Sequence, residues 1–332
     1  MLKDWTGWTS FALFLFLLVI TFFINPNLGA GGLVAFMTIY APLVFCALGE
    51  SIVITTSGID LSVGGVVGLV NVTTIALVGA GWKFLEVTPK GGLYTGGAYE
   101  GLPFLLAAMV GILAGLIIGL LNGVAVGFMG VPPLIATLAT LFIGTGATLY
   151  ILPLPAGKIP VSAINWYMSP FLGIHKSIWA IVVGTLVIWV IMRSQFGIYV
   201  RAIGRDLTKS FYRGLHVRLI QFLSYILSSL MASIGGVLLT LYVNTGDPAI
   251  GDPFTLNAIA AVVIGGVSIL GGEWEPIGPV FGALFLGIST TLILSAKIPP
   301  WYQIFVSGLI IVSGIASITY LKTRGLSERK YI

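Results

Sequence analysis

Residues 102–129 read Leu-Pro-Phe-Leu-Leu-Ala-Ala-Met-Val-Gly-Ile-Leu-Ala-Gly-Leu-Ile-Ile-Gly-Leu-Leu-Asn-Gly-Val-Ala-Val-Gly-Phe-Met, with no charged residue among them. A helix needs about 20 apolar residues to cross the hydrocarbon layer of a bilayer, so this segment is long enough to span one. Gly111, Gly115, Gly119, Gly123 and Gly127 recur at every fourth position. At about 3.6 residues per turn they form a slowly drifting stripe on one face, where a neighbouring backbone can approach closely in lipid. The stretch therefore predicts one helix of a tightly packed membrane bundle. The whole chain agrees: of 332 residues, 57% are hydrophobic and 8% charged, against about a quarter charged in soluble domains. A soluble enzyme domain is excluded on composition.

Working outward, similar runs lie near 9–24, 33–56, 61–82, 134–152, 176–193, 218–243, 257–270, 276–294 and 299–321. With 102–129 they make about ten helices in one transmembrane domain over 1–332, an all-α polytopic protein. The run at 257–270 is short, since about 14 residues rising 1.5 Å each cover about 21 Å, and it reads as either a half-helix or a re-entrant element. Lys3 before the first run and Leu28-Gly29-Ala30 after it loosely resemble a cleavable leader. The long apolar run and the spans close behind it favour an uncleaved anchor. Pro132-Pro133 and Pro299-Pro300 each precede a span, a pattern expected of a two-half pseudo-repeat.

Lysine and arginine are retained on the cytoplasmic side of short loops. The loop after 176–193 carries Arg193, Arg201, Arg205, Lys209, Arg213 and Arg218 against Asp206, and the tail carries Lys322, Arg324, Arg329 and Lys330 against Glu328. Both stretches, and both termini, are therefore expected in the cytoplasm, with the loop bearing Asp247 and Asp252 outside. The net charge of +5 follows from this topology rather than from a nucleic-acid partner.

The polar break Thr55-Thr56-Ser57-Gly58-Ile59-Asp60-Leu61-Ser62-Val63-Gly64 separates two apolar runs. Irregular backbone is not tolerated facing lipid, so the break is either a short turn at the surface or a broken helix lining a pathway. Asp60 is placed to cap a helix starting at Leu61. Glu50 is costly at its depth unless paired or wetted, or else it snorkels near a helix end. Asn122, on the glycine-striped segment, reads as an interhelical hydrogen-bonding group or a pathway residue. Ser224, Ser228, Ala232 and Gly236 form a second small-residue stripe. The excursion at about 194–217 mixes basic residues with Phe196, Tyr199, Phe211 and Tyr212, which suits either lipid headgroups or a soluble partner. Gly204 to Ser210 ends in Lys-Ser but has threonine where a phosphate-binding loop needs its second glycine, so no nucleotide site is encoded there. A lone cysteine, Cys46, and two distant histidines, His175 and His216, support neither a metal site nor a catalytic triad.

Several of these pieces together resemble the permease subunits of bacterial ATP-binding-cassette (ABC) importers for monosaccharides, the ribose, xylose and galactofuranose group, with branched-chain amino-acid permeases as more distant relatives. The matching residues are Gly58-Ile59-Asp60-Leu61-Ser62-Val63-Gly64, Asn122-Gly123 followed by Val131-Pro132-Pro133-Leu134-Ile135-Ala136-Thr137-Leu138, Phe196-Gly197 with Ala202-Ile203-Gly204, and Leu256-Asn257-Ala258-Ile259-Ala260-Ala261-Val262-Val263-Ile264-Gly265-Gly266. The resemblance implies a type II importer permease that is not itself an enzyme and binds no cofactor, with ATP and Mg on separate ATPase subunits. It further implies an extracytoplasmic sugar-binding protein, a second permease chain and the bacterial inner membrane. Phe196, Gly197, Tyr199, Arg201, Gly204 and Arg205 would then couple to the ATPase, and Glu50, Asp60, Ser62, Asn122 and Thr137 would line or shape the path.

Two departures stand out. Arg205-Asp206-Leu207-Thr208-Lys209-Ser210-Phe211-Tyr212 replaces the usual Gly-Asn and alanine-rich continuation, and Gly271-Gly272-Glu273-Trp274-Glu275-Pro276 replaces a basic glycine-rich turn. They suggest a dedicated ATPase and leave the second permease chain open as an identical copy (homodimer) or a different one (heterodimer). An ion-coupled secondary transporter, with Glu50 or Asp60 as a relay, is the competing reading.

Overall fold

The computed structural model describes residues 6–25, 29–80, 101–275 and 277–299, with isolated helical positions between 302 and 312. The basic tail, most of the expected span at 299–321 and the segment 81–100 lie outside the described residues. Helices α1 (Thr6–Ile24), α2 (Ala30–Thr55), α3 (Val63–Ala80) and α4 (Phe104–Gly123) open the chain, and a π-helical turn, Val124–Phe128, extends α4. Then come α5 (Pro133–Ile151), α6 (Val161–Met168) and α7 (Lys176–Arg193). Helices α8 (Gln195–Arg205), α9 (Leu207–Tyr212), α10 (Val217–Val243), α11 (Asp252–Ile264) and α12 (Gly278–Ser295) complete the described chain.

Among the described residues, 6 helices are long and apolar enough to cross a membrane, and α1, α3 and α11 are shorter apolar helices. One small departure from an all-α fold is a two-stranded antiparallel ribbon, β1 (Pro170–Phe171) with β2 (Ile174–His175), in the segment leading into α7. Proline starts or nearly starts α5, α11 and α12, where its missing N–H leaves no helical bond unmade. Asn244 ends α10 in the left-handed region, at φ 57°, a conformation that asparagine tolerates. Its Oδ1 also accepts the Ile159 N–H at 3.0 Å.

Helices α3 and α10 form the centre. Every residue from Ser62 to Gly79 is buried, and α10 packs against α2, α3 and α4. The α4 glycine stripe faces this centre as its spacing implies. A Cβ on Gly119 would lie 2.5 Å from Ser229 Oγ, one on Gly111 would lie 2.6 Å from Thr74 Oγ1, and one on Gly115 would overlap Ser233 Oγ. These hydroxyls are buried and find no conventional hydrogen-bond partner among the described residues. Each faces the α-carbon of a glycine instead, the setting of a weak Cα–H···O contact. Glycine thus admits both the neighbouring helix and its polar side chain.

The segment after α10 folds back along α3. Residues 244–251 are tied to it side chain by side chain. The Asn71 amide donates at 3.0 Å to both Thr240 Oγ1 and the Thr245 carbonyl, and its Oδ1 accepts the Asp247 N–H at 3.0 Å. Thr148 Oγ1 donates to the Pro248 carbonyl at 3.1 Å, and the Gly251 carbonyl lies where a Cβ on Gly64 would need to be. The chain therefore descends from the level of Asn71 to that of Gly64 before α11 begins. The apolar run expected at 257–270 is helical over Asp252–Ile264, 13 residues, or about 20 Å, too short to cross alone. It is a half-helix that starts inside the bundle.

Candidate functional site

The break between α2 and α3 is held by hydrogen bonds running across several helices. Glu50 and Asp60 are fully buried, and Glu50 Oε1 accepts the Asp60 backbone N–H at 3.1 Å. Asp60 Oδ1 accepts Ser62 Oγ at 2.6 Å and the Ser62 N–H at 3.0 Å, and its Oδ2 accepts Ser228 Oγ of α10 at 2.9 Å. Ser62 Oγ also accepts the Asn122 amide at 2.8 Å, and Asn122 Oδ1 accepts Thr140 Oγ1 at 2.6 Å. Thr137 Oγ1 donates to the Ile59 carbonyl at 3.2 Å and within its own helix to Pro133 at 2.9 Å.

All of the residues expected to line or shape the path, Glu50, Asp60, Ser62, Asn122 and Thr137, thus gather in one cluster. They meet as the buried node joining α2, α3, α4, α5 and α10. The snorkelling reading of Glu50 does not hold, because the side chain is 0% exposed. Nor does Asp60 cap a helix beginning at Leu61: α3 starts at Val63, and Asp60 closes the turn ahead of it through Ser62. Glu50 Oε2 and Tyr225 Oη lie in buried positions without a hydrogen-bond partner among the described residues. Tyr225 packs against Gly58, where a Cβ would come within 2.7 Å of its hydroxyl.

The basic excursion folds as two helices, and its candidate coupling residues divide between two faces of α8. Gly197 and Gly204 are buried, Phe196 and Arg201 are half-buried, and Tyr199 and Arg205 are exposed. Arg201 Nη1 donates to the Met192 carbonyl at 2.9 Å, tying α8 to the end of α7. Burial, with Arg205 nearby, lowers the Arg201 guanidinium from its usual value. Asp206 caps α9 by accepting the Lys209 N–H at 2.8 Å, and that bond holds its carboxyl below the usual carboxylate range. Ile198, Tyr199, Leu207, Phe211 and Tyr212 leave an apolar and aromatic surface turned outward.

At the other end of the bundle, His175 caps α7 by accepting the Ser177 N–H at 3.2 Å. Burial first, then Lys176, lowers its imidazole from the ordinary histidine value, which favours the neutral acceptor form.

Sequence reading missed Asn71, Thr140, Ser228 as a carboxylate donor, and the re-entrant stretch with Asp247 and the exposed Asp252. Threonine and serine inside apolar runs give only a weak signal, because they also bond to their own helix, as Ser224 does to Ile220. Among the described residues, no group of three or more His, Cys, Asp and Glu is placed to hold a metal ion.

The chain is similar to known transport proteins along most of its length. Residues 32–313 match the family described as branched-chain amino acid transport system / permease component. The autoinducer 2 import system permease protein LsrC of Salmonella choleraesuis is 29% identical over 299 residues, covering 87% of this chain and 79% of the relative. The galactofuranose transporter permease protein YtfT of Escherichia coli K12 is 32% identical over 273 residues, covering 80% and 73%. A probable ABC transporter permease protein, y4mJ of Sinorhizobium fredii, is 29% identical over 289 residues, covering 86% and 80%. No solved structure matches. The chain therefore belongs to the branched-chain amino acid transport system / permease component family, and it is a multi-pass membrane permease subunit of a binding-protein-dependent importer.

Proposed function

We propose that this chain is one of two permease subunits of an importer driven by separate ATPase subunits, which bind the ATP and Mg. Its solute is a monosaccharide or similar small polar molecule handed over by an extracytoplasmic binding protein. The galactofuranose relative supports the sugar class. In this reading residues 1–332 form one transmembrane domain of about ten crossings, with both termini and the 194–217 excursion in the cytoplasm, because Arg193, Arg201, Arg205, Lys209, Arg213 and Arg218 cluster at one end of the bundle.

The observation that carries the proposal is the two-faced α8. Its inner face seats Gly197 and Gly204 against the bundle, so a push on the exposed Tyr199 and Arg205 is delivered to the transmembrane helices. A soluble ATPase is the partner that such a lever requires, since differential binding to two packings is what moves a two-state protein. The solute path follows the re-entrant stretch, whose irregular backbone and exposed Asp252 offer polar groups inside an apolar bundle. The buried node around Asp60 shapes that path from behind.

Proteoliposomes holding this chain with its co-purifying ATPase and binding protein test the reading, using radiolabelled ribose, xylose and galactofuranose. Uptake of one of these sugars is expected to need ATP and to fall strongly in Tyr199→Ala, with insertion of the permease unchanged. Uptake by this chain alone, driven by an ion gradient, would overturn it.

A further inference from the structure

Ser57 ends the run of α2 at φ +65°, a left-handed conformation unusual for a residue other than glycine, asparagine or aspartate. It sits where three segments meet. Its hydroxyl lies 2.9 Å from the carbonyl of Gly204, at the end of α8, and 2.9 Å from the carbonyl of Leu270, in the turn after α11. The same junction is closed by the Gly272 N–H donating to the Thr55 carbonyl at 2.9 Å. Glycine is required here by contact as well as by conformation. A Cβ on Gly204 would overlap the Thr55 carbonyl, and one on Gly271, itself at φ +81°, would overlap Ser57 Oγ. On its other side Ser57 is joined through Gly58 and Ile59 to Asp60, whose N–H and carboxylate are held by Glu50, Ser62 and Ser228.

A hydroxyl has one proton to donate, yet Ser57 faces two carbonyls at equal distance. The end of α8 and the turn after α11 therefore compete for the same proton. A hydroxyl placed equally between two acceptors is the kind of contact that a switching transition repacks. We propose that Ser57 is the positioning residue that carries displacement of α8 into the α2–α3 break and the α11–α12 turn, with its strained backbone kept for the sake of the hydroxyl. This rests on the reading of α8 as the ATPase-driven element.

The test uses the native complex of permease and ATPase, with Mg-ATP and vanadate as the probe, read by hydrogen exchange of backbone amides at 57–62, 195–205 and 268–272. Ser57→Gly removes the hydroxyl while relieving the positive φ, and Ser57→Asn accepts that φ and supplies two N–H donors. In Ser57→Gly the amides of α8 are expected to respond to nucleotide as in the parent, while the response at 57–62 falls about fivefold, the factor set by one net hydrogen bond. Ser57→Asn is expected to restore it, and the thermal midpoint of Ser57→Gly is expected to be no lower than that of the parent. An unchanged response at 57–62 in Ser57→Gly, failure of Ser57→Asn to restore it, or a loss that tracks a lowered midpoint would overturn the proposal. A parent complex in which α8 itself does not respond to nucleotide would overturn the lever reading beneath it.

Discussion

Helices α5 and α10 are both apolar enough to cross a membrane, yet 28% of the most apolar stretch of α5 is buried inside the bundle against 61% for α10. The difference lies in where small side chains fall. On α10, Ser224, Ser228, Ser229, Ala232, Ser233, Gly235 and Gly236 are all buried, and they open several faces so that α2, α3 and α4 can approach together. On α5 the buried positions Ala136, Thr137, Thr140, Gly144 and Thr148 make a single stripe, while Leu134, Ile135, Phe142 and Ile143 face outward. Total hydropathy says that a helix crosses. The number of small-residue faces says how many neighbours it takes, because in lipid close packing replaces the hydrophobic drive between helices.

That comparison can be broken at its tight end first. Gly115→Val on α4 sets a branched side chain onto Ser233 of α10 and within 3.0 Å of Val66 Cγ1. It should destabilise the purified protein by about 1–3 kcal/mol or more, as overpacking does; an unshifted thermal unfolding midpoint in detergent would show that α4 and α10 are not closely packed. Next, Ser228→Ala removes the α10 donor to Asp60 Oδ2 and leaves a buried carboxylate oxygen short of a partner. About 1–3 kcal/mol is expected, with Ser228→Thr closer to the parent; equal midpoints for the alanine and parent proteins would mean that the bond is not formed. The smallest effect belongs to α5. Phe142→Leu, at a position 67% exposed, should stay within about 0.5 kcal/mol, and a larger drop in the midpoint would reveal that a second chain covers that face.

Much of the site was legible in residue types. A carboxylate at position 60 beside Ser62, an asparagine among glycines at 122 and a carboxylate at 50 are all polar groups in apolar runs, and such groups must find partners. Their meeting in one node required the fold, because Glu50, Asp60, Asn122, Thr137 and Ser228 lie on different helices or on the break between two of them. The residues of α8 were legible as part of a basic, aromatic excursion between two spans, but the division of its two faces was not. Side-chain direction depends on the turn at which α8 leaves α7, and Gly197 and Gly204 look like ordinary flexible positions until Met192 and Thr55 are seen beside them. Ser57 was legible only as one residue of the polar break, since the two carbonyls it bonds come from segments far apart in the chain.

The re-entry of 244–251 marks the same boundary. Acidic residues in a polar loop read as exterior on composition, and the contacts with Asn71 and Gly64 of α3 and Thr148 of α5 that run the loop back along α3 come only from tertiary packing. The sequence by itself determined the membrane class, the long apolar helices, the glycine stripe on α4 and the transport family, because these depend on local apolar length, small-residue period and motif identity. Tertiary structure alone decided that the carboxylates at 50 and 60 share a node, that α11 is a half-helix and that Ser57 joins three segments. Each of these depends on which polar groups, distant in sequence, the packed chain brings within hydrogen-bonding reach of one another.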